Sequence, residues 1–383
     1  MREVSIIGVG MTDFGKFVDI PIEELAKRAL WDALKDAGVK PCQIETAYCG
    51  NMLAGRISGH YSCMAEIMFD QAGIKGIPIV GVENACSSGS TAFREAWIAV
   101  GSGLYDIAIA LGVEKMTGRL AAPLMREKNT MEGVMGFTMP GVWASRAQKH
   151  METFGTTLEQ LAKVSVKNHA NGCLNPRAQY KKEFTVDEVL NSPMISEPLT
   201  MYHACAIGDG AAAVIVTSSE IAKKYTRNPV RVAAVALTSG TYEYLRDFAS
   251  HDLEKRAAKE AYEMAGIGPE DLDFAEVHDC YTIAEVIRCE SLGLCKPGEY
   301  PVLLDEGKWD LNGDFPINPS GGLLAKGHPI GATGVGQIVE VVQHFWDLAG
   351  ERQVQGAKVA LTHCSGGSYK GDTGACTVSI LKR

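Results

Sequence analysis

Cys86 stands in the run Asn84-Ala85-Cys86-Ser87-Ser88-Gly89-Ser90, between an apolar stretch at 77–82 and a helix-like stretch at 91–100. That spacing predicts a strand, a short turn carrying the thiol, and a helix that starts beside it. Unpaired N–H groups and a partial positive charge gather at a helix N-terminus and favour a thiolate there. The small neighbours leave room for a bulky thioester, so a thiol mounted this way suits nucleophilic acyl transfer. A lone cysteine among small residues would read more readily as inert filler; the histidine runs downstream reverse that balance.

Three further runs hold groups of matching chemistry. Glu276-Val277-His278-Asp279-Cys280-Tyr281 closes a predicted strand, ahead of a helix over 283–292. Residues at strand ends of α/β folds commonly face a site. There His278 could donate a hydrogen bond to a thioester oxygen and Cys280 could transfer a proton. Asn318-Pro319-Ser320-Gly321-Gly322 leads into Gly327-His328-Pro329-Ile330-Gly331-Ala332-Thr333-Gly334, which places His328 on a tight loop before a helix. Glycines there allow close backbone approach. A phosphate cradle is the rival reading of this loop, but the G-x-x-x-x-G-K-[ST] pattern is not met. Thr362-His363-Cys364-Ser365-Gly366-Gly367 is expected after the last long strand. Its glycines could expose N–H groups toward an oxyanion, and Cys364 is a second proton-transfer candidate. A satisfied core histidine, or a turn with an incidental thiol, is the plain alternative for each run by itself.

The elements that must position these groups come in two copies. Lys27-Arg28-Ala29 and Lys255-Arg256-Ala257 each open the core of a helical pattern; Gly38 and Gly266 stop them, and Pro41 and Pro269 follow. Each member of the second set stands 228 positions after its counterpart. Each copy reads as helix, glycine stop, turn and strand, with Gly50 and His278 in the same register. Helix starts at Cys86-Ser87-Ser88-Gly89 and Gly331-Ala332-Thr333-Gly334, each followed by a strand, extend the match. The expected fold is α/β, two duplicated halves in a layered α-β-α-β-α arrangement. The expected division is residues 1–115 plus 202–245 for the N-terminal half, an inserted loop domain at 116–201, and 246–383 for the C-terminal half. The insertion gathers Met116, Met125, Met131, Met135 and Met139; such residues adapt to varied ligands, or simply pack a loop.

Taken together these runs resemble the thiolase superfamily, over about 3–381. The His278-Asp279-Cys280 form is similar to the sterol-carrier-protein-2-type branch, which includes archaeal acetoacetyl-CoA thiolases. The resemblance implies Cys86 as the acylated nucleophile, His328 as the base that activates it, and His278 as a donor to the thioester oxygen. It implies Cys280 as the second acid/base, preferred over Cys364 of the Cys364-Ser365-Gly366 run; a thiol titrating near neutral pH would suit that task. It implies coenzyme A as co-substrate with no covalently bound cofactor and no metal. It also implies a homodimer and a small zinc-ribbon/OB-fold companion protein. Acetoacetyl-CoA/acetyl-CoA is the default substrate, a bulky or aromatic 3-oxoacyl-CoA such as benzoylsuccinyl-CoA the alternative, and a non-catalytic scaffold or lipid-binding subunit the reading from another class. The stretch 368–374 departs from the family's usual glycine turn.

Bulk properties bound the rest. The chain has 383 residues, 46% hydrophobic and 22% charged, enough for a large core. A formal net charge of −9 without a long basic run makes nucleic acid a poor partner. Arg119, Arg126, Lys128 and Lys181-Lys182 are the scattered cations available for an anionic cofactor. No apolar run approaches a membrane span, and the first residues read as a strand rather than a secretory leader. Eleven cysteines without a C-x-x-C pair suit a reducing cytoplasm.

Overall fold

The computed structural model describes residues 1–118, 131–226, 228–243 and 247–383. The first repeat unit is built from β1 (Val4–Met11), α1 (Ile22–Ala37), β2 (Thr46–Gly50), β3 (Ile79–Val82), α2 (Ser88–Gly101) and β4 (Ile107–Glu114). Between β4 and β5 (Gly210–Ser218), the segment expected as a loop domain holds two sixteen-residue helices, α3 (Met139–Phe154) and α4 (Leu158–Cys173). Threonines at 138 and 157 cap both, each accepting a backbone N–H of the first turn. The second unit holds β6 (Val230–Ser239), α5 (Asp252–Ala265), β7 (Phe274–Val277), α6 (Thr282–Ser291), α7 (Gly322–Lys326), α8 (Ile330–Phe345), β8 (Val359–Gly366) and β9 (Ala375–Lys382).

Strand pairing repeats as the sequence does. In the first unit β2 runs parallel to β4, β4 antiparallel to β5, and β5 antiparallel to β1. In the second, β7 runs parallel to β8, β8 antiparallel to β9, and β9 antiparallel to β6. Residues 4–6 of β1 pair with 230–232 of β6, so the sheet reads β3-β2-β4-β5-β1-β6-β9-β8-β7. Gly38 and Gly266 end α1 and α5 in the left-handed conformation, at φ 64° and 65°, where a glycine carries no steric cost.

Alternation along the strands separates the layers. Ile109, Leu111, Ala211, Ala213 and Ile215 pack outward with the apolar face of α1. Ala108, Ala110, Ala212 and Val214 face inward, against α2 and α8. On the far side, Ala234, Ala236, Val378 and Ile380 pack with α5 and α6. The two halves of this one sheet flank the central helix pair, giving the order helix, half-sheet, helix pair, half-sheet, helix. All sixteen residues of α8 are buried, as a central-layer helix requires.

Candidate active site

The two central helices begin at the same place because glycines let them. A Cβ on Gly89 would lie 2.3 Å from the Gly331 carbonyl oxygen, and one on Gly334 2.7 Å from the Ser90 nitrogen. No side chain fits there, so the start of α2, carrying Cys86, meets the start of α8, carrying His328. Ala85, just before the thiol, sits at φ 49°. That left-handed turn costs a non-glycine residue about 1–3 kcal/mol. The Ala85 carbonyl accepts the Ser88 hydroxyl at 2.6 Å and the Ser88 N–H at 3.0 Å, which hold it.

His278 follows β7 directly, and Cys364 lies inside β8. The Thr362–Gly366 run does not follow the last strand, as expected from sequence. It pairs with β9 through to Gly366–Ala375, and residues 367–374 form the connection. A Cβ on Gly366 would lie 2.4 Å from the Cys86 nitrogen, so that glycine lets the nucleophile's turn rest on β8. The Cys364 thiol donates to the Cys86 carbonyl at 2.9 Å, and the Ser87 hydroxyl donates to the Cys364 carbonyl at the same distance.

These contacts bring the Cys86 sulfur and ring nitrogens of His278 and His328 within 4.8 Å of one another. The two imidazoles meet edge to face, centroids 4.9 Å apart. Their hydrogen bonds assign different roles. The Thr333 hydroxyl donates to the Pro329 carbonyl (3.0 Å), so it accepts from Nδ1–H of His328 (2.7 Å). That leaves Nε2, which has no hydrogen-bond partner among the described residues, as the basic nitrogen. Nδ1 of His278 accepts the Ser365 N–H at 3.4 Å and lies 3.3 Å from the Cys364 sulfur, which puts its proton on Nε2. One imidazole offers a lone pair and the other a donor.

Asp279 ties the two histidine segments together. Its carboxylate accepts the Leu323 N–H at 2.6 Å and the Leu324 N–H at 3.2 Å, at the start of α7, whose far end leads to His328. Asn168 of α4 bridges Asp279 and Glu285 at 2.8 and 2.7 Å, so the inserted helices brace the site from behind.

The electrostatics differ from the sequence expectation. The helix start does not hold Cys86 as a thiolate. Burial, with the Cys364 and Cys280 thiols nearby, pushes it well above the usual thiol range. Burial likewise raises Cys280, and Cys364 to about 12, so neither titrates near neutrality. Burial lowers His328 to about 3 and His278 well below its ordinary value, so both rings are neutral at pH 7. The resting pair is thiol and imidazole, and the base must take the proton as the thiol attacks.

The Cys280 thiol is held by a different group. Its sulfur accepts from the Arg288 guanidinium at 3.5 Å, and Arg288 also donates to the His278 carbonyl. Sequence reasoning missed Arg288; a lone cation on the apolar pattern of α6 was the available signal. It also missed Cys205, whose N–H donates to the Cys280 carbonyl at 2.9 Å. Of the methionines, Met116 is buried, Met139 packs against the second core and Met135 is exposed; Met125 and the Met131 side chain lie outside the described residues. So do Arg119, Arg126 and Lys128. Lys182 pairs with Glu188 at 3.0 Å.

The N-terminal thiolase domain family matches residues 4–220, and the thiolase C-terminal domain-like family matches 233–383. An acetyl-CoA acetyltransferase of Methanothermobacter thermautotrophicus is 42% identical over all of both chains. The benzoylsuccinyl-CoA thiolase subunit BbsB of Thauera aromatica is 38% identical over 96% of each. A solved Ltp2-ChsH2(DUF35) aldolase shares the fold, with a TM-score of 0.85 over 100% of this chain and 98% of that one, at 22% identity. With both halves matched and a full-length relative this similar, the chain belongs to the thiolase family and is an acyltransferase.

Proposed function

We propose that the chain makes or cleaves a 3-oxoacyl-CoA by Claisen chemistry through an acyl-Cys86 intermediate, with acetoacetyl-CoA and acetyl-CoA as its pair. The convergence of the Cys86 sulfur and two differently protonated imidazoles within 4.8 Å carries this reading. In the cleavage direction, Nε2 of His328 takes the Cys86 proton and the sulfur attacks the keto carbon. The C–C bond breaks, leaving an acyl group on Cys86 and the enolate of a CoA thioester. The His278 Nε2–H donates to the enolate oxygen; one such donor contributes about 3–4 kcal/mol in a dry site. A thiol, Cys280 or Cys364, protonates the carbanion, and free CoA then takes the acyl group from Cys86. Synthesis runs the same steps in reverse. Coenzyme A is a co-substrate, and these steps use no covalently bound cofactor.

Similarity to BbsB favours a second reading, an aromatic 3-oxoacyl-CoA. A homodimer is favoured by the sheet edge at β3, where Val80 is 45% exposed. The DUF35 protein in the solved aldolase complex favours a small companion. Among the described residues no helix is long and apolar enough to cross a membrane, and the eleven free cysteines fit a reducing cytoplasm.

The test is thiolysis. Loss of the enolate absorbance of acetoacetyl-CoA on adding CoA is expected, at a higher kcat/KM than with aryl 3-oxoacyl-CoAs. A preference for aryl substrates would select the second reading. No turnover and no acyl adduct on the folded protein, with or without a companion, would leave a scaffold.

A further inference from the structure

Arg288 is a buried cation placed where the proposed reaction needs one. It lies on α6 and is 2% exposed. Its guanidinium donates through Nη1 to the His278 carbonyl and to the Cys280 sulfur, the latter at 3.5 Å. Its Nε has no hydrogen-bond partner among the described residues, and the Glu254 carboxylate is 3.7 Å away. That carboxylate is shared with His251 at 2.9 Å and Ser365 at 3.2 Å. The ring of Trp143 covers the guanidinium at 5.0 Å. The Glu254 carboxylate pairs with the buried guanidinium through space, without a hydrogen bond, so a hydrogen-bonded anion would stabilise it further. Cys280 is the hydrogen-bonded partner that can.

We propose that Arg288 is a positioning residue that holds the thiolate of Cys280, the thiol that exchanges a proton with the substrate carbanion in the proposed reaction. The proposal rests on the thiolase reading. The two thiols differ in their hydrogen-bond partners: Cys364 meets the Cys86 carbonyl at 2.9 Å and a neutral imidazole at 3.3 Å, whereas Cys280 is hydrogen-bonded to the Arg288 guanidinium, which acts on Cys364 only through space. Among the described residues, the other groups that bear on Cys280 do not supply positive charge. Asp279 opposes its ionisation, Cys86 and Cys205 are neutral thiols, and burial acts against the thiolate while Arg288 acts for it.

In cleavage the Cys280 S–H gives its proton to the α-carbanion, and the thiolate left behind stays on the guanidinium. Incoming CoA gives its S–H proton to that thiolate and attacks acyl-Cys86 as it does so. Cys86 leaves as a thiolate and recovers its proton from the His328 imidazolium. Both thiols and the imidazole return to their starting state.

The test is site-resolved alkylation by iodoacetamide against pH, read by peptide mass spectrometry on the full chain in a Cys86→Ser background. Cys280 is expected to react with a midpoint at least one pH unit below that of Cys364. Arg288→Met should raise the Cys280 midpoint by one unit or more and that of Cys364 by less, and Arg288→Lys should restore most of the difference. Arg288→Met alone should also slow exchange of the α-protons of acetyl-CoA in D2O at least tenfold, while acylation of Cys86 persists in that variant. If Arg288→Met does not fold, the order of the two midpoints with Arg288 intact decides. A Cys280 midpoint at or above that of Cys364, or equal shifts at both thiols, would overturn the proposal. Alkylation needs no turnover, so this result stands apart from any failure of the thiolysis assay.

Discussion

Gly89 and Gly331 form the contact on which the site is built: a Cβ on Gly89 would stand 2.3 Å from the Gly331 carbonyl oxygen. Cys86 lies three residues before the first of these glycines and His328 three before the second. The fold thus uses one backbone contact between two buried helices to set a nucleophile opposite its base.

Gly89→Ala should force the helix starts apart. Overpacking of this kind costs about 1–3 kcal/mol, and the acylation rate of Cys86 should fall more steeply than stability does. Urea midpoints and single-turnover acylation, measured on the same preparation, check this. A variant with wild-type acylation would remove the helix contact from the account.

Thr333→Val keeps the shape of the side chain but removes the acceptor that fixes the His328 tautomer. With Nδ1 unpartnered, the ring is free to present the wrong nitrogen to Cys86. General-base catalysis contributes about 10²–10⁴-fold; losing the tautomer should cost about 10–100-fold in acylation rate with KM little changed, and Thr333→Ser should recover most of it. Equal rates in the wild type and Thr333→Val would show that another group orients His328.

Acid should destabilise the fold through its buried histidines. Burial holds His169, His203 and His251 down to about 4, and His328, His344 and His363 down to about 3. Each is neutral when folded and takes up a proton on unfolding between those values and about 6.5. The unfolded state binds more protons in that window, so this stability is fully present above about pH 6.5 and is lost as pH falls toward 3. Glu114 and Asp279, raised to about 7 by burial, oppose the trend because the folded state keeps their protons below that pH. The histidines outnumber them. The unfolding free energy from urea titration should therefore drop between pH 6.5 and 5, by about 1.4 kcal/mol per pH unit for each net proton, and the urea midpoint with it. A midpoint that holds or rises on acidification would contradict the assignment of neutral buried rings.

Periodicity and glycine stops made the two halves legible. Gly38 and Gly266 end their helices in the same backbone conformation, and the turns at Pro41 and Pro269 follow in step. The helices α3 and α4 were harder to read because their glycine and histidine content weakens the apolar stripe. Cys86, His278 and His328 each stood out by local pattern. Their charge states did not, because desolvation depends on the layers that close over them, which no local window contains. Arg288 was missed for the same reason: its partners, Cys280 and the His278 carbonyl, lie across a turn whose path the sequence does not specify.

The most direct test of the central claim is intact and peptide mass spectrometry of the folded protein mixed with acetoacetyl-CoA or acetyl-CoA. An acetyl adduct confined to the peptide bearing Cys86, absent in Cys86→Ser while that variant keeps its circular-dichroism spectrum and melting temperature, is the expected result. An adduct on another residue, or full turnover by Cys86→Ser, would contradict it.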